Sequence, residues 1–287
     1  MKTTVSVVAG ALCAWILLAA QTVAAQAADN LSGNWTMMPA DSAGKVNFGL
    51  VYRRAHHNMN HSSDWPAEVF QGLDLSVRGK RDVQFSIVRE AGRFDCEGYL
   101  QNGVGAGVFL FTPDPAFTKA LAGLGFTGVN ERTQFAMATF DVTTKFIRDL
   151  RAEGLPLTEV DKVIAFRVHD VTVASVREYK KLGVQADEDQ LIAMHVHGAT
   201  PAWIAKMRAQ GYADLDVNQL VAFRVHGVTP EYIAKMEKLG YGRPDPDQLV
   251  AMRVHGVTPE YIDGLKSRGV KNLTIDRLIQ LRVHGID

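Results

Sequence analysis

Three histidines and a methionine stand close together in His56-His57-Asn58-Met59-Asn60-His61. Imidazole and thioether donors suit copper, nickel or zinc, so His56, His57 and His61 are the candidate metal ligands of this chain. They fall in what reads as a polar loop after a strand ending near Arg54. A loop histidine cluster supplies donors without fixing their geometry, so the metal reading stands as an alternative.

Five further histidines recur in an Arg-Val-His-Gly type phrase: His169, His197, His226, His255 and His284, spaced by 28, 29, 29 and 29 residues. Identical positions in successive repeats line one face, where a ladder of imidazoles can meet metals or anions. Their place in the sequence favours a structural role. Each falls in the last turn of an expected helix, where a cationic or donor ring meets free carbonyls and the negative dipole end. Arg167, Arg224, Arg253 and Arg282, two residues earlier, suit the same field, with Asp189 and Asp247 as acidic partners on adjacent helices. Repeats stacked about 10 Å apart also hold the rings too far apart for one metal, whose ligands bind at about 2.1 Å.

Signatures of catalysis are thin. The chain has no His-Glu-x-x-His, no Gly-x-Ser-x-Gly and no Walker loop. Asp95 and Glu97 alternate on one strand and so share a face, without an evident acid or base partner. The glycines of Gly103-Val104-Gly105-Ala106-Gly107 precede a β-branched and aromatic run, so they mark strand bulges or close backbone approach, not a phosphate cradle.

The elements that must position these groups come in two periods. From about 28 to 110 the pattern is alternating: Lys45 to Tyr52, Val83 to Val88 and Phe94 to Leu100 read as strands, with a turn at Glu90-Ala91-Gly92-Arg93. From about 111 to 287 the phrase positions 111, 140, 169, 197, 226, 255 and 284 mark a repeat, the first two eroded to Phe111 and Phe140. Glycines follow fourteen residues after six of these positions, from Gly125 to Gly269.

Each copy predicts a first helix opened by a capping residue and proline, as in Asp114-Pro115, Thr200-Pro201, Thr229-Pro230 and Thr258-Pro259. A second helix opens near Asp187, Asp216, Asp245 or Thr274 and ends at the histidine. One such pair cannot bury its apolar stripe alone, so neighbours must stack. The expected fold is α+β: a small antiparallel β domain, then an α-solenoid-like array of helical hairpins.

The first 27 residues differ from the rest. Lys2 precedes an apolar run from Val5 to Ala20, and Ala25-Gln26-Ala27 fits a signal peptidase, with cleavage before Ala28. The expectation is a periplasmic or secreted chain without a membrane span once matured. Cys96 then stands alone, so no internal disulfide forms, and its alternation with acids marks it as a core thiol. Lysine plus arginine and aspartate plus glutamate are 31 each, a balance that argues against a nucleic-acid partner. Hydrophobic content of 47% is that of a globular protein.

The strings Phe85-Ser86-Ile87-Val88-Arg89-Glu90-Ala91-Gly92, Cys96-Glu97-Gly98 and Phe109-x-Phe111-x-Pro113-Asp114 resemble a bacterial extracytoplasmic module. So do the repeats of the type Leu-Val-Ala-Phe-Arg-Val-His-Gly-Val-Thr-Pro-Glu-Tyr. This module is found free or as the C-terminal tail of membrane metallopeptidases related to the β-lactam-sensing antirepressor family. The resemblance covers nearly all of the chain beyond residue 27. It implies a sensor-like or scaffolding role and carries over no catalytic residue, because the peptidase zinc motif is absent.

The reading is a non-catalytic binding or scaffold protein for a protein or cell-envelope partner, with no cofactor. Lys180, Trp203, Arg208 and Lys238, which vary between repeats, are the expected partner-binding positions. A cryptic cell-envelope hydrolase is the remaining alternative.

Overall fold

The computed structural model describes residues 31–54, 57–76 and 78–286. The expected signal segment, 1–27, lies outside these residues, as does His56. The chain divides into two compact units, one ending at Thr144 and one beginning at Lys145.

The first unit is built on six antiparallel strands. These are β1 (Leu31–Pro39), β2 (Lys45–Arg54), β3 (His57–Pro66), β4 (Lys80–Arg89), β5 (Gly92–Gln101) and β6 (Val104–Pro113), in the order β3-β2-β1-β6-β5-β4. Alternation places Trp35, Phe48, Phe85, Phe94 and Phe109 on one face, all buried. Trp35 packs edge-on to Phe85 at 5.1 Å, and its Nε1 donates to the Glu97 carbonyl at 3.0 Å. Gly107 is needed beneath that indole, since a Cβ there would stand 2.7 Å from Trp35 Nε1. The glycine run is thus a place of close approach, as the sequence implied.

Two helices follow in this unit, α1 (Pro115–Gly123) and α2 (Glu131–Thr139). α2 delivers Phe135 onto the aromatic face, 5.3 Å from Phe111 and 5.7 Å from Phe109. Gln134, 3% exposed, donates to the carbonyls of Ala91 and Asp114 and satisfies what burial would otherwise leave bare. The sheet unit therefore extends past residue 110. Phe111, expected to close a degenerate helical copy, is a fully buried strand residue opposite Leu31 and Phe94.

The segment expected as a histidine loop is also strand. β3 pairs with β2 along its whole length, with His61 opposite Leu50 and Trp65 opposite Val46. Its Asn, Ser and Asp residues are poor strand formers, and pairing with an apolar neighbour overrides that propensity.

In the helical region α3 spans Thr144–Ala152, α4 Val160–Val168, α5 Val173–Lys181, α6 Glu188–His197 and α7 Pro201–Ala209. α8 spans Val217–Val225, α9 Pro230–Met236, α10 Pro246–Val254, α11 Pro259–Ser267 and α12 Ile275–Val283. The expected caps are present: Thr200, Thr229 and Thr258 accept from the third helical amide, and Asp187, Asp216 and Asp245 form capping boxes with Gln190, Gln219 and Gln248. No helix among the described residues is long and apolar enough to cross a membrane.

Candidate functional site

The phrase histidines close their helices. His169, His226, His255 and His284 are the capping residues of α4, α8, α10 and α12, and His197 ends α6. All five side chains are exposed. The bond at this corner runs through the main chain instead. Arg224 Nε donates to the His197 carbonyl at 2.9 Å, and Arg253 Nε to the His226 carbonyl at 3.2 Å. A cation thereby meets the negative end of the preceding phrase helix. The acids expected as arginine partners are not used this way; Asp189 pairs with Lys162.

Each arginine also covers an aromatic ring. Arg224 lies 5.3 Å from the Trp203 centroid, Arg253 5.0 Å from Tyr232, Arg282 4.6 Å from Tyr261 and Arg167 5.0 Å from Phe146. The glycine of the phrase makes the room. A Cβ on Gly227, at φ +68°, would stand 2.9 Å from the Arg253 guanidinium, and one on Gly198 2.8 Å from that of Arg224. The phrase glycine therefore permits both the left-handed turn and the arginine seat.

One copy departs from this pattern at both ends. His195 occupies the arginine position, and Ser175 the aromatic one, six residues after His169. The two meet directly, His195 Nε2 to Ser175 Oγ at 3.2 Å. Burial pulls the His195 pKa below its ordinary value, partly offset by its contact with the His169 main chain. A large cation over a ring has been exchanged for a small polar pair.

The aromatic ring carries a second bond. Tyr232 Oη donates to the Val257 carbonyl at 2.9 Å and Tyr261 Oη to the Ile286 carbonyl at 2.7 Å. Burial pushes the Tyr232 hydroxyl up to about 12. Trp203 fills the same place without such an acceptor; its Nε1 is buried and unpartnered. The sequence showed an aromatic six residues after three of the histidines and after Phe140, but not that it was the floor beneath the next arginine.

A second set of bonds engages two of the positions expected to face a partner. Lys180 donates to the Glu153 carbonyl, Arg208 to the Leu182 carbonyl and Lys266 to the Leu239 carbonyl. Each basic side chain caps the end of an earlier helix. Lys180 and Arg208 are therefore bonded within the chain, and Trp203 is only 8% exposed beneath Arg224. Where Glu237 replaces the basic residue, the guanidinium of Arg243 lies against Gly211 instead. Lys238 is exposed, in the π-helical segment Glu237–Tyr241.

The remaining candidates lie on the sheet. His57 opens β3, opposite Arg54, and His61 is half-buried with its ring 4.5 Å from Phe140 and its Nε2 3.0 Å from Ser63 Oγ. Burial lowers the His61 pKa, which favours the neutral ring. No group of three or more His, Cys, Asp or Glu suited to a metal occurs among the described residues. Cys96 is 4% exposed, and its thiol is pushed far up by burial and by Asp95, which makes it inert as a nucleophile. Compared with protein-family models, curated proteins and solved structures, the chain matches none of them.

Proposed function

We propose that this is a non-catalytic periplasmic or secreted binding protein. Its helices stack as a solenoid-like array with a period of about 29 residues and present a surface to a protein or cell-envelope partner. One observation carries the reading. Val168, Val196, Val225, Val254 and Val283 are 44%, 52%, 52%, 53% and 58% exposed, and each precedes an exposed histidine. The arginine and glycine of the phrase are occupied by the interlock, whereas the valine serves no buried contact. Valine is also a mediocre helix former, so its presence in the same exposed place in all five histidine copies does not serve the helix. In the stacked array these valines and histidines form one apolar and weakly basic row.

The test is site-specific photocrosslinking in intact cells from position 226 or 255, with and without Val225→Asp/Val254→Asp. The reading expects discrete envelope adducts that the double variant loses while its melting temperature is unchanged. Adducts no different from those at an exposed control position such as Lys271 would remove it.

A further inference from the structure

Successive phrase ends are tied to one another beyond His197. The phrase helices α6, α8, α10 and α12 touch in succession. Arg224 bonds the His197 carbonyl and Arg253 the His226 carbonyl, so guanidinium and imidazole alternate from one helix end to the next. Arg282 continues the row, its guanidinium 3.0 Å from where a Cβ on Gly256 would stand. Each of the two carbonyls takes Nε alone. The terminal amino groups of Arg224 and Arg253 make no further hydrogen bond or ion pair among the described residues.

This ribbon carries one sign of charge. No phrase histidine pairs with a carboxylate among the described residues. The acids nearest in sequence are engaged elsewhere. Glu260 bonds Lys235 at 3.2 Å, and Glu231 is held by its own helix terminus and by Thr229, with Lys206 as its cation. The earlier part of the row differs, since Asp170 stands in a glycine place and His195 in an arginine place. The excess of cations is therefore confined to the stretch beyond His197. Val225 and Val254 add an exposed alkyl group at each step.

We propose that this ribbon takes an extended acidic peptide, with one carboxylate per copy on a guanidinium and an alkyl side chain on each valine. It rests on the reading of the valine and histidine row as a partner surface, and gives that partner its chemistry. Packed helices stand about 8–10 Å apart, and three residues of polyproline II or strand advance about 9–10 Å. A peptide with an acid at every third residue therefore meets Arg224, Arg253 and Arg282 in turn. The planar guanidinium offers paired N–H groups that match a carboxylate. A sugar–phosphate polymer would satisfy the cations and leave the valines uncovered.

The experiment is fluorescence anisotropy of the full chain with a dye-labelled peptide of three Glu-Pro-Val repeats. The expected result is saturable binding that weakens about tenfold for the Gln-Pro-Val peptide, as for three exposed ion pairs together. Binding weakens with Val225→Asp/Val254→Asp, strengthens with Val225→Lys/Val254→Lys, and falls with added salt. A peptide of the same composition with its glutamates adjacent binds less well. Both positions are exposed, and an unchanged melting temperature confirms folding. No saturation, equal binding of the Gln-Pro-Val peptide, or indifference to glutamate spacing overturns the proposal. So would poly(glycerol phosphate) that binds and is not displaced by the peptide, which would assign the ribbon to an anionic polymer. Envelope adducts at position 226 or 255 with failed peptide binding would keep the partner surface and remove only its acidic occupant. Specific peptide binding without adducts would do the reverse.

Discussion

Arg253 is held over Tyr232, guanidinium to ring centroid 5.0 Å, while that tyrosine's hydroxyl bonds onward to the Val257 carbonyl at 2.9 Å. The ring therefore touches the next phrase twice, through its face and through its edge. Two contacts thus couple the ring to the next helix without any buried charge pair, whose desolvation would erode the gain.

The first prediction concerns that pair. In a double-mutant cycle, Arg253→Ala and Tyr232→Leu should show a coupling of about 1 kcal/mol, the scale of a partly exposed cation–π contact. Additive losses measured by urea unfolding would mean that the stacking contributes nothing.

Gly227 supplies the next. Gly227→Ala should cost more than Gly154→Ala, because both have positive φ but only Gly227 has a guanidinium in the way. The strain common to both is about 1 kcal/mol. In an Arg253→Ala background the excess should disappear, since the obstructing group is gone. Equal costs in both backgrounds would assign the whole effect to the backbone.

Trp203 is a natural defect in the pattern, with a buried Nε1 that lacks an acceptor. Trp203→Tyr should restore a hydroxyl bond of the kind that Tyr232 and Tyr261 make, here to the Val228 carbonyl. A neutral hydrogen bond contributes about 1 kcal/mol, and removing the unpaired donor adds to it. The variant should melt a few degrees higher despite its smaller ring, and Tyr232→Phe a few degrees lower. A Trp203→Tyr melt below wild type would refute the account.

His195 predicts a pH dependence. Its folded pKa is depressed by burial, so the unfolded chain takes the proton more readily. Stability is then full above the ordinary value of 6.5 and falls as the pH drops below it, towards the folded pKa. His61 contributes in the same direction, also through burial. His195→Gln should shallow the decline in urea midpoint between about pH 7 and pH 5 without abolishing it. An unaltered slope would exclude His195. The pair change Ser175→Tyr with His195→Arg should in turn stabilise more than the sum of its parts.

Cys96 should resist alkylation in the native protein and react only on unfolding, read by mass spectrometry of its own peptide. Burial and the neighbouring Asp95 both oppose the thiolate. Modification at native conditions on the timescale of a model thiol would show that the sheet opens.

The sequence by itself determined the helical half in detail. Caps, prolines and positive-φ glycines are local devices, since their bonds close within a few residues, so Thr229, Asp216 and Gly240 could be read without knowing any distant contact. It also marked Cys96 as core and Asp95 and Glu97 as sharing a face. β3 escaped notice because its polar residues oppose strand formation and only pairing with β2 overrides them. Phe111 was misplaced because a strand and a degenerate helical copy share one aromatic signal. Tertiary structure alone decided the fate of Arg224, Arg253, Trp203, Lys180 and Arg208. Their partners lie more than twenty residues away, where spacing can say that a side chain recurs but not what it touches.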